Sequence, residues 1–278
     1  MRSRTGAIFA LMLLTTMAAA VSARAQDTVK DSAKPDAAKP DAAQTAPQNA
    51  APDAAQSCEV PAYLLTSDSP LPKVAGAVKD AHALNILVVG SRSSTIPSQE
   101  ASAYPARLQA YLKERLPSVA VNVSVELQAK KTAEEASAEL VKLADDKKAT
   151  LVVWQTGTVD AMRSVDPDDF RGAVDEGVAA LQKAGTDVIL MNLQYSPRTD
   201  SMVSAPPYLD NMRVVAQQHD VPLFDRFAIM QQWNDSGDFD FFSAAHGLDL
   251  VRRVHDCLGR ALSRFVIDAA HVNPVQQN

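Results

Sequence analysis

The sequence predicts a three-layer α/β/α sandwich on a parallel sheet of about five strands, spanning residues 58–278. Three observations carry this. Short apolar runs rich in β-branched residues recur: "LNILVV" (84–89), "TLVVWQ" (150–155) and "VILMNL" (188–193). Each has the length of one strand and is apolar on both faces, as a strand covered on both sides must be. Segments of helical periodicity separate them, and strand–helix alternation is the pattern of a parallel sheet with helices on its two faces. The chain has 278 residues, 46% of them hydrophobic, which is enough for a core of that size.

Taken in order, residues 71–80 read as a short helix and 84–89 as the first buried strand. Residues 104–116 are amphipathic, with Leu108, Tyr111, Leu112 and Leu116 at helical spacing, and 119–125 alternate like a strand. Thr132-x-x-Glu135 is a capping box: hydroxyl and carboxylate each take one free amide of a first turn, predicting a helix to about Lys147. After the strand at 150–155, Asp166 is an N-cap signal. Pro167 stands at the first helical position, and Asp168 and Asp169 suit the helix dipole. That helix ends near Gly185. A strand at 188–193, a helix at 207–219, a short strand at 221–224 and a helix to Trp233 follow. A loop rich in Asp, Ser and Phe leads to a final helix at 248–270. In open parallel sheets a site forms beyond the carboxyl ends of the strands. The turns "GSRSST", "QTGTVD" and "SAAHGLD" are therefore expected to converge there.

The first 57 residues stand apart. Arg2 and Arg4 precede an apolar run at 7–21, and Ala23-Arg24-Ala25 is a small-x-small cleavage site, so residues 1–25 read as a signal peptide. The run is too short and alanine-rich for a membrane span of about 20 residues, so no span is expected after cleavage. Residues 26–57 repeat "AKPDA" units and read as a disordered Ala/Pro/Asp-rich linker with nothing large to bury. The expected location is periplasmic or secreted. In that oxidising setting Cys58 and Cys257 are expected to form a disulfide, closing a loop long enough for roughly 4–5 kcal/mol of stabilisation. The formal charge is −6, with 27 basic and 33 acidic residues. Losing Arg2, Arg4 and Arg24 makes the mature chain more acidic still, so nucleic acid is not an expected partner. The five histidines, His82, His219, His246, His255 and His271, lack metal-ligand spacing, and no G-x-G-x-x-G or P-loop is present. No metal or cofactor is expected. Trp154, ending a strand, reads as core, as does Trp233.

From Cys58 to about Val266 the chain resembles SGNH/GDSL hydrolases, in particular exported proteins whose first block reads like G-S-S-S-T. The stretches "CEVPAYLL", "YPARLQAYL", "VVWQTGT", "LQKAGTDVILMNLQYSPR", "VPLFDRFAIMQQW" and "HDCLGRAL" carry the resemblance. It implies the same flavodoxin-like sandwich. It also implies chemistry in four blocks: a serine nucleophile after the first strand, a glycine amide and an asparagine side chain in an oxyanion hole, and a D-x-x-H pair supplying the base. Carried over residue by residue, the nucleophile position falls on Arg92, which cannot attack a carbonyl. The glycine position falls near Leu127. The asparagine of G-x-N-D falls on Val159, followed by Asp160. The last block reads His246-Gly247-Leu248-Asp249, with acid and base exchanged. An ion pair between Arg92 and Asp249, with His246 behind it, is the expected replacement.

Two readings follow. One is an exported, catalytically degenerate SGNH-like protein. It would bind an acylated or carbohydrate ligand, or an envelope protein, through the remnant cleft at Arg92, Leu127, Val159, Asp160, His246 and Asp249. The other is an active serine esterase or acyl transferase with Ser93 or Ser91 as relocated nucleophile, His246 as base and Asp249 beside it. A purely structural role in the envelope is a third.

Overall fold

A computed structural model of the chain describes residues 58–242 and 247–272. The signal peptide and linker expected at 1–57 lie outside the described residues, as does His246. Five strands alternate with the helices: β1 (Ala83–Gly90), β2 (Ala120–Leu127), β3 (Leu151–Gln155), β4 (Asp187–Met191) and β5 (Leu223–Phe224). All pair in parallel, in the order β2-β1-β3-β4-β5. The helices are α1 (Pro72–Gly76, continued by a wider turn over Ala77–Ala81), α2 (Tyr104–Arg115), α3 (Ala133–Asp146), α4 (Thr158–Arg163), α5 (Pro167–Lys183), α6 (Pro197–Asp200), α7 (Pro206–His219), α8 (Arg226–Asp235) and α9 (Gly247–Ala269).

Strand residues alternate between two cores, as side chains of period two must. Ile86, Val88, Val153 and Ile189 face a layer with α1, α2, α8 and α9. Leu87, Val89, Val152, Trp154 and Leu190 face the opposite layer, with α3, α5 and α7. Local signals act as read. Thr132 and Glu135 close a reciprocal capping box on α3, and the Asp166 carboxylate accepts the Asp168 amide at the start of α5. One cap spans elements: Asp187, at the start of β4, accepts the Lys73 and Val74 amides of α1 at 2.8 and 2.9 Å. Burial raises its carboxyl above the usual range, against those two bonds.

The expected disulfide is present. Cys58 and Cys257 are bonded, their Cα atoms 5.2 Å apart across 199 residues of sequence. It ties the start of the domain to α9. Trp154 and Trp233 are both fully buried, and Trp233 donates its indole N–H to the Glu59 carbonyl at 2.9 Å. Among the described residues no helix is long and apolar enough to cross a membrane. The strand order reverses between β1 and β3, so a crevice opens where their carboxyl ends diverge.

Candidate functional site

The turn after β1 starts from close packing. Gly90 ends the strand, and a Cβ there would lie 2.1 Å from the Ser94 hydroxyl. Residues 92–94 then form a single 3-10 turn. That turn separates the serines. Ser94 points inward and is buried, Ser91 and Ser93 are half-buried, and Arg92 is exposed.

Gln155, the last residue of β3, holds this turn from across the crevice. Its Nε2 donates to Ser91 Oγ (2.9 Å) and Ser93 Oγ (3.0 Å). Its Oε1 accepts from Ser94 Oγ (2.8 Å), Tyr104 Oη (3.2 Å) and Arg226 Nη1 (3.1 Å). Arg226 is the first residue of α8. The Asp225 carboxylate caps that helix and accepts from Asn192, whose own carbonyl takes the Phe227 amide, so the helix start is fixed from β4's side. Arg226 is wholly buried. Its Nη1 also donates to Ser93 Oγ at 3.2 Å, while Nε and Nη2 have no hydrogen-bond partner. No carboxylate among the described residues pairs with it. Burial lowers the guanidinium to about 10, so it stays charged at neutral pH.

Both lone pairs of the Ser93 oxygen thus face donors, Gln155 and Arg226. Ser91 accepts from Gln155 and shares a 3.2 Å bond with Ser93. No histidine or carboxylate among the described residues lies within hydrogen-bond distance of either hydroxyl. The buried histidine nearby, His255 of α9, is used differently: its Nδ1 accepts the Tyr104 amide at 2.9 Å, capping α2. Burial, and then the positive charge of Arg226, lower its pKa to about 4, so it is neutral at physiological pH.

Above the turn lies an open cleft of about 490 Å³. Ser91, Ser93, Thr158 and Gln194 supply its hydrogen-bonding groups. Val159 and Met162 supply an apolar patch. Arg92, Lys130 and Arg163 supply positive charge.

A family model for the non-GDSL lipase-like family matches residues 57–272. The chain belongs to that family. No curated protein matches it. Among solved structures, a catalytic mutant of Axe2, an acetylxylan esterase from Geobacillus stearothermophilus, superposes with a TM-score of 0.54 at 17% identity. The match covers 70% of this chain and 97% of that one. A protein from Desulfitobacterium hafniense assigned to the G-D-S-L lipolytic family superposes at 0.50 with 14% identity, covering 65% and 98%. At these identities the likeness establishes the fold, which is that of the SGNH/GDSL hydrolases.

Against the blocks of an SGNH/GDSL hydrolase, this member of the non-GDSL lipase-like family places its residues as follows. Arg92 and Val159 both border the cleft. Leu127 does not: it ends β2, 46% exposed, and lines a separate groove with Val123 and Val125. Lys130, three residues on, takes the cleft position, because the chain must turn away from the sheet edge before it reaches the crevice. Its backbone is left-handed, with φ 68°. Asp160 is buried on the inner side of α4, where its Oδ1 accepts the Ala133 amide at 2.8 Å and burial raises its pKa. It joins α3 to α4 rather than facing the cleft. The expected Arg92–Asp249 pair is not formed. Asp249 is exposed and pairs with Arg252, one turn along α9, at 2.6 Å, because a neighbour on the same helix is nearer than any across the crevice. Arg92 has no ion pair among the described residues.

Sequence reading missed Gln155, Arg226, Tyr104 and His255 as a connected set. A signal existed. Arg226, Ile229, Met230 and Trp233 follow helical spacing, so the arginine sits on the apolar stripe of α8. His255 sits likewise with Leu258 and Leu262 on α9. A charged residue on a buried stripe marks an internal polar site.

Proposed function

We propose that this is an exported, catalytically degenerate member of its family. Its remnant cleft binds an acylated or glycan ligand, or a protein partner, without turning it over. One observation carries the reading: Ser91 Oγ accepts from Gln155, Ser93 Oγ accepts from Gln155 and Arg226, and among the described residues neither hydroxyl meets a histidine or a carboxylate. A serine becomes nucleophilic when a base accepts its proton. Here the oxygen lone pairs that would attack a carbonyl already accept hydrogen bonds, and the position that should attack carries Arg92. The leader read at residues 1–25 and the Cys58–Cys257 bond support an oxidising, extracytoplasmic setting.

A second reading has its own observation. The Arg226 cation and the Gln155 amide would stabilise an alkoxide at Ser93, favouring an active esterase with His246 as base. Hydrolysis of p-nitrophenyl acetate by the purified chain separates the two. Degeneracy requires a rate no higher than that of a Ser93→Ala variant. Turnover that this substitution abolishes would establish the esterase.

A further inference from the structure

Cations from three different connections meet in the cleft: Arg92 after β1, Lys130 after β2 and Arg163 from α4. Among the described residues no acidic side chain lines it, on a chain whose formal charge is −6. Arg92 and Lys130 form no ion pair among the described residues, and Arg163 reaches only the exposed Glu135, at 3.3 Å. Beneath the floor is a fourth cation. Arg226 is wholly buried and donates to Ser93, itself a lining residue, with two of its nitrogens unpartnered. A buried charge without a counter-ion is costly, and like charges around one opening repel. An anion seated in the cleft offsets both.

The rest of the lining decides what carries the anion. A long acyl chain needs a continuous apolar trench, and among the described residues the only apolar ones lining the cleft are Val159 and Met162. A sugar ring presents polar edges and an apolar C–H face, and so matches the serine, threonine and amide groups as well as that patch. The volume lies within the range of about 300–1,000 Å³ usual for ligand pockets.

We propose that the cleft binds a carboxylated oligosaccharide, its acid groups paired with Arg92 and Lys130 and its ring hydroxyls held by Ser91, Ser93 and Thr158. This assignment rests on that part of the proposed function which makes the cleft a ligand-binding site. The guanidinium fork of Arg92 suits a carboxylate through two parallel hydrogen bonds.

Isothermal titration calorimetry on the purified full-length chain tests this, with trigalacturonate as probe and xylotriose and inorganic phosphate as comparisons. Trigalacturonate should bind saturably and more weakly as salt is added. Arg92→Gln and Lys130→Gln should each weaken it by about tenfold. Xylotriose should give no measurable heat, and phosphate should compete only at far higher concentration. Both substituted residues are exposed, so the variants should keep the wild-type Tm in a circular dichroism melt. The proposal is overturned by equal binding of xylotriose, by no binding of trigalacturonate, or by unchanged affinity in both variants. Phosphate binding as tightly as trigalacturonate, the mark of a free-anion site, also overturns it. Turnover of p-nitrophenyl acetate, measured on the same samples, reports separately on the reading beneath it. Turnover alongside salt-sensitive trigalacturonate binding removes the non-catalytic reading and leaves carboxylate recognition standing. Neither turnover nor binding removes carboxylate recognition alone.

Discussion

At Gln155 one side-chain amide joins five polar groups: three serine hydroxyls, the Tyr104 phenol and the Arg226 guanidinium. Removing it takes a hydrogen bond from all five at once and leaves only the longer Ser91–Ser93, Ser94–Tyr104 and Arg226–Ser93 contacts. Gln155→Ala should lower unfolding stability by about 1–3 kcal/mol in urea denaturation. Arg226→Met should behave differently, because it removes a buried charge that has no counter-ion and two unpartnered nitrogens. We expect stability within about 1 kcal/mol of wild type, or higher. A larger loss in the methionine variant than in Gln155→Ala would mean that Arg226 holds the site together, contrary to the network described. His255 gives the fold a pH dependence. Its pKa falls from 6.5 to about 4 on folding, so as pH drops the unfolded chain takes up the proton first. The contribution is fully present above about pH 6.5 and is lost between there and about pH 4. The loss is about 3 kcal/mol in all, and constant below that. Urea unfolding between pH 7 and 4.5 should therefore decline more steeply in wild type than in His255→Asn, which keeps an acceptor but does not titrate. Equal slopes would contradict the buried neutral imidazole.

Among the elements, α9 packs tightly on α2, and Gly259 allows it. A Cβ there would lie 2.5 Å from the Arg107 Cβ, 2.9 Å from the Leu108 nitrogen and 3.0 Å from the Tyr104 carbonyl oxygen. Two of these atoms are backbone and have no rotamer to change. Gly259→Ala should cost about 1–3 kcal/mol. Gly172, inside α5, has nothing within 4 Å of an added Cβ, and Gly172→Ala should gain about 0.5–1 kcal/mol through helix propensity. Parallel urea titrations compare the two, and opposite signs are the expected result. Element-level signals were the most legible part of the sequence. The buried strands, the Thr132 capping box and the Asp166–Pro167 helix start are local patterns that act locally. The connection after β3 was harder. "QTGTVD" reads as a turn, yet Gly157, at φ 95°, starts α4 directly. That short helix brings Val159, Met162 and Arg163 to the cleft.

For the molecule as a whole, the five-stranded parallel sheet and the bond between Cys58 and Cys257 followed from strand–helix alternation and from the oxidising compartment the sequence leads one to expect. They need no knowledge of which side chains touch. The site was only half legible, for a physical reason. Positions on the turns, such as Arg92 and Val159, are placed by the fold, whereas partners are chosen by distance. Asp249 has Arg252 one turn away and takes it. Arg226 comes from a helix that follows the last strand, and only the folded sheet brings it under Ser93. Our proposal is that in this SGNH/GDSL fold the attacking position holds the Arg92 cation, beside serine hydroxyls that already accept hydrogen bonds from Gln155 and Arg226. Intact-mass spectrometry after incubation with a fluorophosphonate probe tests that claim most directly. The expected result is an unmodified chain; a stoichiometric adduct mapping to Ser91 or Ser93 would contradict it.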